Sequence, residues 1–132
     1  MSELELKILS NSQRKISILL ENSELENKVF GQLYLVEIMP GMTVGNHYHE
    51  HRDEVLIPIK GEKIRIALED TKTKHKDELV IDVESYNKKL VIQRYVAHSI
   101  TNKSDKPLLL IEYSTRPFDP KNDDKIAYKV RA

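Results

Sequence analysis

The chain has 132 residues, 21 basic and 21 acidic side chains, no formal net charge and 39% hydrophobic residues. That length suits one domain with one core, and the charge balance excludes a field that would recruit nucleic acid, anionic lipid or polyanionic substrates. Cysteine is absent, which excludes a disulfide framework, a thiolate metal site and a cysteine nucleophile, so a metal ligand has to be His, Asp or Glu.

The first residues, "MSELELKILSNSQRK", carry Glu3, Glu5 and Lys7 where a signal peptide needs an apolar centre, and no later run approaches the ~18 apolar residues of a membrane span. A soluble cytoplasmic protein with no membrane or nucleic-acid partner is expected. From there the apolar pattern keeps returning to period two or to short apolar runs, and rarely to helical spacing. Strands are predicted over 15–20, 31–39, 43–49, 54–59, 63–68, 78–83, 90–95, 98–102 and 108–114. Their spacing of about 8 to 12 residues is that of an all-β sandwich or barrel. Turn signals separate them: "MPGM" at 39–42, Gly61, the charged run 69–77, "ESYNKK" at 84–89 and "NKSDKP" at 102–107. They read as hairpin loops. His75, inside the run 69–77, is expected at an exposed tip. No repeat or low-complexity linker is present, so a single domain 1–132 is expected, with a barrel core over about 31–114. The tail 115–132, with two prolines and mixed charge, is expected to wrap the outside without adding a core strand.

Three of the five histidines fall in "GMTVGNHYHEHRDEVLIPIKG", residues 41–61. On a strand, His47 and His49 project to one face, roughly 6 to 7 Å apart, while Tyr48 points the other way. Glu54 lies at an odd offset, which a turn through "EHRD" would remove by making Glu54 the start of the partner strand of a hairpin. His51 would be carried outward by that turn. Two imidazoles and a carboxylate suit a first-row divalent cation with coordination positions left open. His98, in "YVAHSITN", is the candidate fourth ligand, because an adjacent antiparallel strand would bring it to the same point.

Gly41, five residues, His47-Tyr48-His49, four residues, Glu54, six residues and Gly61 resembles the first motif of the cupin superfamily, with every fixed position present. His98, three residues and Asn102 resembles the end of the second motif. Where that motif has Pro-x-Gly this chain has Gln93, Arg94 and Tyr95, and its opening glycine is missing, which puts the local backbone at issue. The resemblance implies a jelly-roll barrel of antiparallel strands. It also implies that His47, His49, Glu54 and His98 hold one divalent metal ion, Zn, Mn, Fe or Ni.

A narrower resemblance, carried by residues 39–62 and by "EYSTRPFDPKNDD" with its "FDP" tail, is to cupin domains of nucleotide-sugar and capsular-polysaccharide biosynthesis. It implies isomerisation or epimerisation of a sugar or sugar nucleotide, with Arg94, Arg65 or Lys60 as candidate phosphate partners. Tyr95 and Tyr34 are the candidate proton donors or ring-stacking residues. The alternatives are an iron-dependent dioxygenase, a non-catalytic small-molecule-binding cupin, and a metal-free isomerase in which His47 and His49 act as acid and base. A small-molecule substrate and a homodimer are the expected partners.

Overall fold

The computed structural model describes residues 1–116, 121 and 124–130. Its strands are β1 (Ser2–Glu5), β2 (Lys7–Ser10), β3 (Lys15–Ile18), β4 (Gln32–Ile38), β5 (Thr43–His49), β6 (Glu54–Lys60), β7 (Lys63–Asp70), β8 (Lys76–Asp82), β9 (Lys88–Ile92), β10 (Val96–Asn102), β11 (Leu108–Ser114) and β12 (Lys125–Ala127). Each predicted strand is present. The only helical pieces among the described residues are three-residue 3-10 turns at Asn22–Glu24, Glu26–Lys28 and Val83–Ser85. No described helix is long and apolar enough to cross a membrane.

Two five-stranded antiparallel sheets carry the fold, one in the order β1-β9-β6-β11-β4 and the other β12-β5-β10-β7-β8, while β2 and β3 form a separate hairpin. Alternation along the strands sends one apolar set inward from each sheet. Ile38, Leu56, Leu90, Ile92, Leu108 and Leu110 from the first sheet meet Ile64, Ile66, Leu68, Ile81, Val96 and Ile100 from the second in one buried cluster. Ile64, Leu90 and Leu108 are completely buried, and each such side chain contributes roughly 1.5–3 kcal/mol. This all-β, two-sheet jelly roll is the architecture expected from the motif.

The expected hairpins need a correction. Only the charged run 69–77 closes one, between β7 and β8; His75 lies exposed at its tip. The turns after β4, β6, β8 and β10 instead carry the chain from one sheet to the other. The same is true of residues 50–53, so Glu54 does not start a hairpin partner of β5: β6 pairs with β9 and β11 in the opposite sheet. A turn signal states that the chain reverses; whether the next strand pairs with the last or faces it across the core depends on which sheet has room, and the local sequence does not encode that.

The predicted strand 90–95 stops at Ile92, because Gln93 to Val96 form a tight turn with Tyr95 in the left-handed region (φ 68°). The missing Pro-x-Gly is replaced by hydrogen bonds. Val96 N–H donates to Gln93 O (3.2 Å), Tyr95 N–H to His49 O (2.8 Å), Arg94 N–H to Asp53 Oδ1 (2.9 Å), and Thr71 Oγ1 to Tyr95 O (2.7 Å). These over-determine a conformation that costs a non-glycine residue about 1 kcal/mol or more. Within the tail, the described residues 125–127 form an edge strand against β5. The "FDP" residues 118–120 lie outside the described residues.

Candidate metal centre

β5 and β10 run side by side with His47 directly opposite His98. β5 can approach this closely because of Gly45, whose φ is +96° and whose added Cβ would lie 2.7 Å from the carbonyl oxygen of His98. Asn46 follows at φ 56°, so β5 is locally irregular just before its first histidine. Alternation then places His47 and His49 on the inner face and Tyr48 on the outer one. Glu54 reaches the same point from across the core, at the start of β6. One ligand atom from each of His47, His49, Glu54 and His98 lies within 4.8 Å of the others. The imidazole centroids are separated by 5.0 Å (His47 to His49), 4.8 Å (His47 to His98) and 6.2 Å (His49 to His98).

His98 Nδ1 lies 3.2 Å from the carbonyl oxygen of Val96, and His49 Nδ1 lies 3.2 Å from Asp124 Oδ1. The Val96 carbonyl only accepts, so His98 carries a proton on Nδ1; His49 stands between two carboxylates, and a proton directed at Asp124 sits on its Nδ1 too. In a neutral ring Nε2 is then a lone pair. The His49 Nε2 atom touches Glu54 Oε1, and neither atom has a hydrogen-bond partner although both are buried. Two acceptors in contact in a dry interior repel unless a cation sits with them. The donor set, with three imidazoles, one carboxylate and outer hydrogen bonds that fix ring orientation, fits a divalent ion.

The cluster opens onto a cavity of about 230 Å³ that is also lined by Tyr34, Arg52, Glu112 and Lys125. Tyr34 donates its hydroxyl to Glu54 Oε2 (3.3 Å). Burial, and then the charge of Glu54, raise the Tyr34 phenol well above its ordinary value. It stays protonated at neutral pH. Burial, followed by the neighbouring His98 and His49, lowers His47 to about 4, and burial also lowers His98. Burial pushes the Glu54 carboxyl up, but a proton shared with His49, followed by positive charge on His98, His49 and Arg52, outweighs it and leaves Glu54 below its ordinary value, so this carboxylate calls for a proton or a cation beside it. At pH 7 His47 is a neutral imidazole and Glu54 an ionised carboxylate, the states in which a cation binds.

Other expected residues fall elsewhere. Tyr95 does not reach the cavity: its ring lies on the outer face of the sheet, 6.3 Å from that of Tyr48, with Lys72 Nζ 3.9 Å above it. Its place there follows from the outward direction of Tyr48. His51 is exposed, as expected. The suggested phosphate partners are also occupied or distant. Arg94 binds Glu26 (2.5 Å) and Arg65 binds Glu78 through two nitrogens, while Lys60 lines a separate concavity of about 560 Å³ with Glu37, Glu62 and Glu84. Asp124, Arg52, Glu112 and Lys125 were not found from the sequence. Arg52 does stand inside the motif's four-residue spacer, but a spacer position carries no prescribed residue type.

Asn102, the last residue of the second motif, is buried and has a structural task. Its amide donates to Ile38 O (3.0 Å) and Lys106 O (2.7 Å) and its oxygen accepts from Ser104, which fixes the end of β10 against β4 and the turn into β11.

A family model described as the polysaccharide biosynthesis C-terminal domain matches residues 18–126. No curated protein matches the chain. Among solved structures, a dTDP sugar isomerase from Desulfovibrio desulfuricans G20 is similar at TM-score 0.81 and 16% identity, covering 99% of this chain and 85% of that one. The sugar 3,4-ketoisomerase QdtA from Thermoanaerobacterium thermosaccharolyticum, in complex with TDP, is similar at TM-score 0.71 and 16% identity, covering 95% and 85%. The capsular polysaccharide assembling protein CapF from Staphylococcus aureus is similar at TM-score 0.71 and 20% identity, covering 95% of this chain and 34% of that one. The chain therefore spans about a third of the CapF chain. At these identities the likeness is one of fold, the jelly roll expected of a cupin.

Proposed function

Because the chain belongs to the polysaccharide biosynthesis C-terminal domain family, we propose that it is a metal-dependent enzyme that isomerises or epimerises a nucleotide-linked keto sugar. The observation that carries this reading is the contact between two buried acceptors, His49 Nε2 and Glu54 Oε1, at the floor of an open cavity. A divalent ion held by His47, His49, Glu54 and His98 would polarise a carbonyl oxygen and acidify the adjacent carbon. The chain's own groups do the rest. Tyr34 reaches the cavity with its proton retained and is the proton donor; Glu112, on β11 opposite Tyr34, is the second group placed to move a proton on the substrate. The names of the similar isomerases support the substrate class, and a QdtA variant is known with TDP-4-keto-6-deoxyglucose.

That compound is the test substrate. Protein purified without a histidine tag is assayed for metal content and incubated with TDP-4-keto-6-deoxyglucose in deuterium oxide, with proton NMR following the carbon beside the ketone. About one ion per chain is expected, with deuterium incorporation that a chelator abolishes and Zn or Mn restores. His49→Ala and His98→Ala should lose both. Metal without deuterium incorporation would overturn the isomerase reading.

A second reading rests on the same contact. A proton in place of the cation would make His49 an imidazolium between Asp124 and Glu54, and the neutral His47 beside it the base of a metal-free isomerase. Protein that stays metal-free after dialysis against each divalent ion yet incorporates deuterium would establish this second reading. Self-association belongs to the proposal too: β4 is an edge strand whose outer face exposes Leu33 and Leu35, and two copies can pair such an edge isologously. Sedimentation should give a dimer for the wild type and a monomer for Leu35→Lys.

A further inference from the structure

Asp124 meets His49 from 75 positions further along the chain. Its carboxylate is shared three ways: Oδ1 lies 3.2 Å from His49 Nδ1 and 3.6 Å from Arg52 Nε, and Oδ2 accepts from the His51 backbone N–H (3.0 Å). The other oriented ring, His98, is held by the carbonyl of Val96 two residues away, within its own strand. His49 has no such local partner. Its orientation is supplied by the tail.

The tail is fastened to the strand that carries the site. Lys125, Ile126 and Ala127 pair with His49, Tyr48 and His47. Tyr128 N–H donates to Asn46 O (2.8 Å) and Val130 N–H to Asn46 Oδ1 (3.0 Å). Val130 is buried with Ala67 and Ala97, and the Tyr128 hydroxyl donates to Glu69. Nearly every anchor therefore lies on residues 46–49 or on the sheet face just behind them.

We infer that Asp124 is a positioning residue for the cluster, holding His49 in the tautomer whose Nε2 faces Glu54, and that docking of residues 124–130 and completion of the site are one event. A ring with its proton on Nε2 would turn its Nδ1 lone pair onto the carboxylate and a hydrogen onto the other ligands. An outer carboxylate on a ligating histidine also raises its basicity, and its loss costs ten- to a hundred-fold in metal affinity in comparable sites. The metal part of this inference rests on the function proposed above; the tautomer part does not.

The experiment uses the full chain. Nitrogen-15 NMR of the imidazoles in chelator-treated wild type, assigned with His49→Ala, reads the His49 ring directly. A ring protonated on Nδ1, or on both nitrogens, is expected; a proton on Nε2 alone overturns the inference. Zn affinity is then measured by competition with a chromogenic chelator for the wild type, Asp124→Ala, Asp124→Asn and a chain ending at residue 123. Roughly ten- to a hundred-fold weaker binding is expected for Asp124→Ala and for the shortened chain alike, with a smaller loss for Asp124→Asn, whose oxygen still accepts. Wild-type affinity in Asp124→Ala would overturn the inference. If the wild type binds no ion, the proposed metal function fails while the NMR result still decides the role of Asp124; the same result decides it if Asp124→Ala does not fold.

Discussion

At the scale of single residues, Tyr34 and Gly45 do different work for the same cluster. Tyr34 contributes a phenol that stays protonated and lies against Glu54. Tyr34→Phe keeps the ring and removes the proton, so kcat should fall by roughly a hundred- to ten-thousand-fold while metal content stays that of the wild type. Loss of metal in that variant would instead make Tyr34 a support for Glu54. Gly45 contributes only the absence of a side chain. Gly45→Ala forces a Cβ to within 2.7 Å of a backbone carbonyl at a φ of +96°, which strands the β5 and β10 backbones in conflict. A loss of about 1–3 kcal/mol in urea unfolding is expected, together with weaker metal binding, because His98 must move. His47, His49 and Glu54 were legible because strand period and motif spacing fix their direction, and His98 because an antiparallel neighbour was needed. Asp124 left no local trace. One of three aspartates in a polar tail acquires a role only when β12 lands on β5, and that register is a tertiary fact.

At the scale of elements, the connections decide the site more than the strands do. Period-two patterning located the strands to within a few residues, yet it could not distinguish a hairpin from a crossover, since both give the same alternation on either side of a turn. The crossover through residues 50–53 places Glu54 opposite its histidines instead of beside them. That crossover is tied down by charge. Glu26 in the second 3-10 turn binds the Arg94 guanidinium (2.5 Å), and Asp53 accepts from the Arg94 backbone N–H (2.9 Å), so one residue holds both segments. The Arg94 hydrogen bond is the largest effect on the Glu26 carboxyl, which lies below its ordinary value of 4.5. A depressed carboxyl stabilises the fold above its unfolded value and loses that contribution as pH falls through its folded one. Urea midpoints should therefore drop more steeply for the wild type than for Glu26→Gln below about pH 4.5, with Glu26→Gln the less stable protein at pH 7. Parallel pH profiles would show that the Arg94 pair adds nothing to stability.

At the scale of the molecule, the candidate centre is a bolt between the two sheets. His47, His49 and His98 come from β5 and β10 of one sheet, and Glu54 comes from β6 of the other. Elsewhere the sheets are joined by the apolar core and by fixed hydrogen bonds such as Asn102 Nδ2 to Ile38 O (3.0 Å), which do not respond to metal, whereas a shared ion ties their separation to metal activity. Because the unfolded chain scatters these four ligands, binding is linked to folding, and an ion at a hundred times its Kd adds about 2.7 kcal/mol. With an unfolding entropy of roughly 2 cal/mol/K per residue, that corresponds to a rise in Tm of roughly 10 °C for a chain of this size. Thermal unfolding of the chelator-treated protein should therefore shift upward on addition of Zn or Mn. In Glu54→Gln the contact with His49 is relieved by an amide that can donate to Nε2, so the metal-free protein should melt no lower than the wild type while its metal-dependent rise disappears. A wild-type Tm that ignores every divalent ion would remove the bolt and leave the Glu54 to His49 contact as a shared proton.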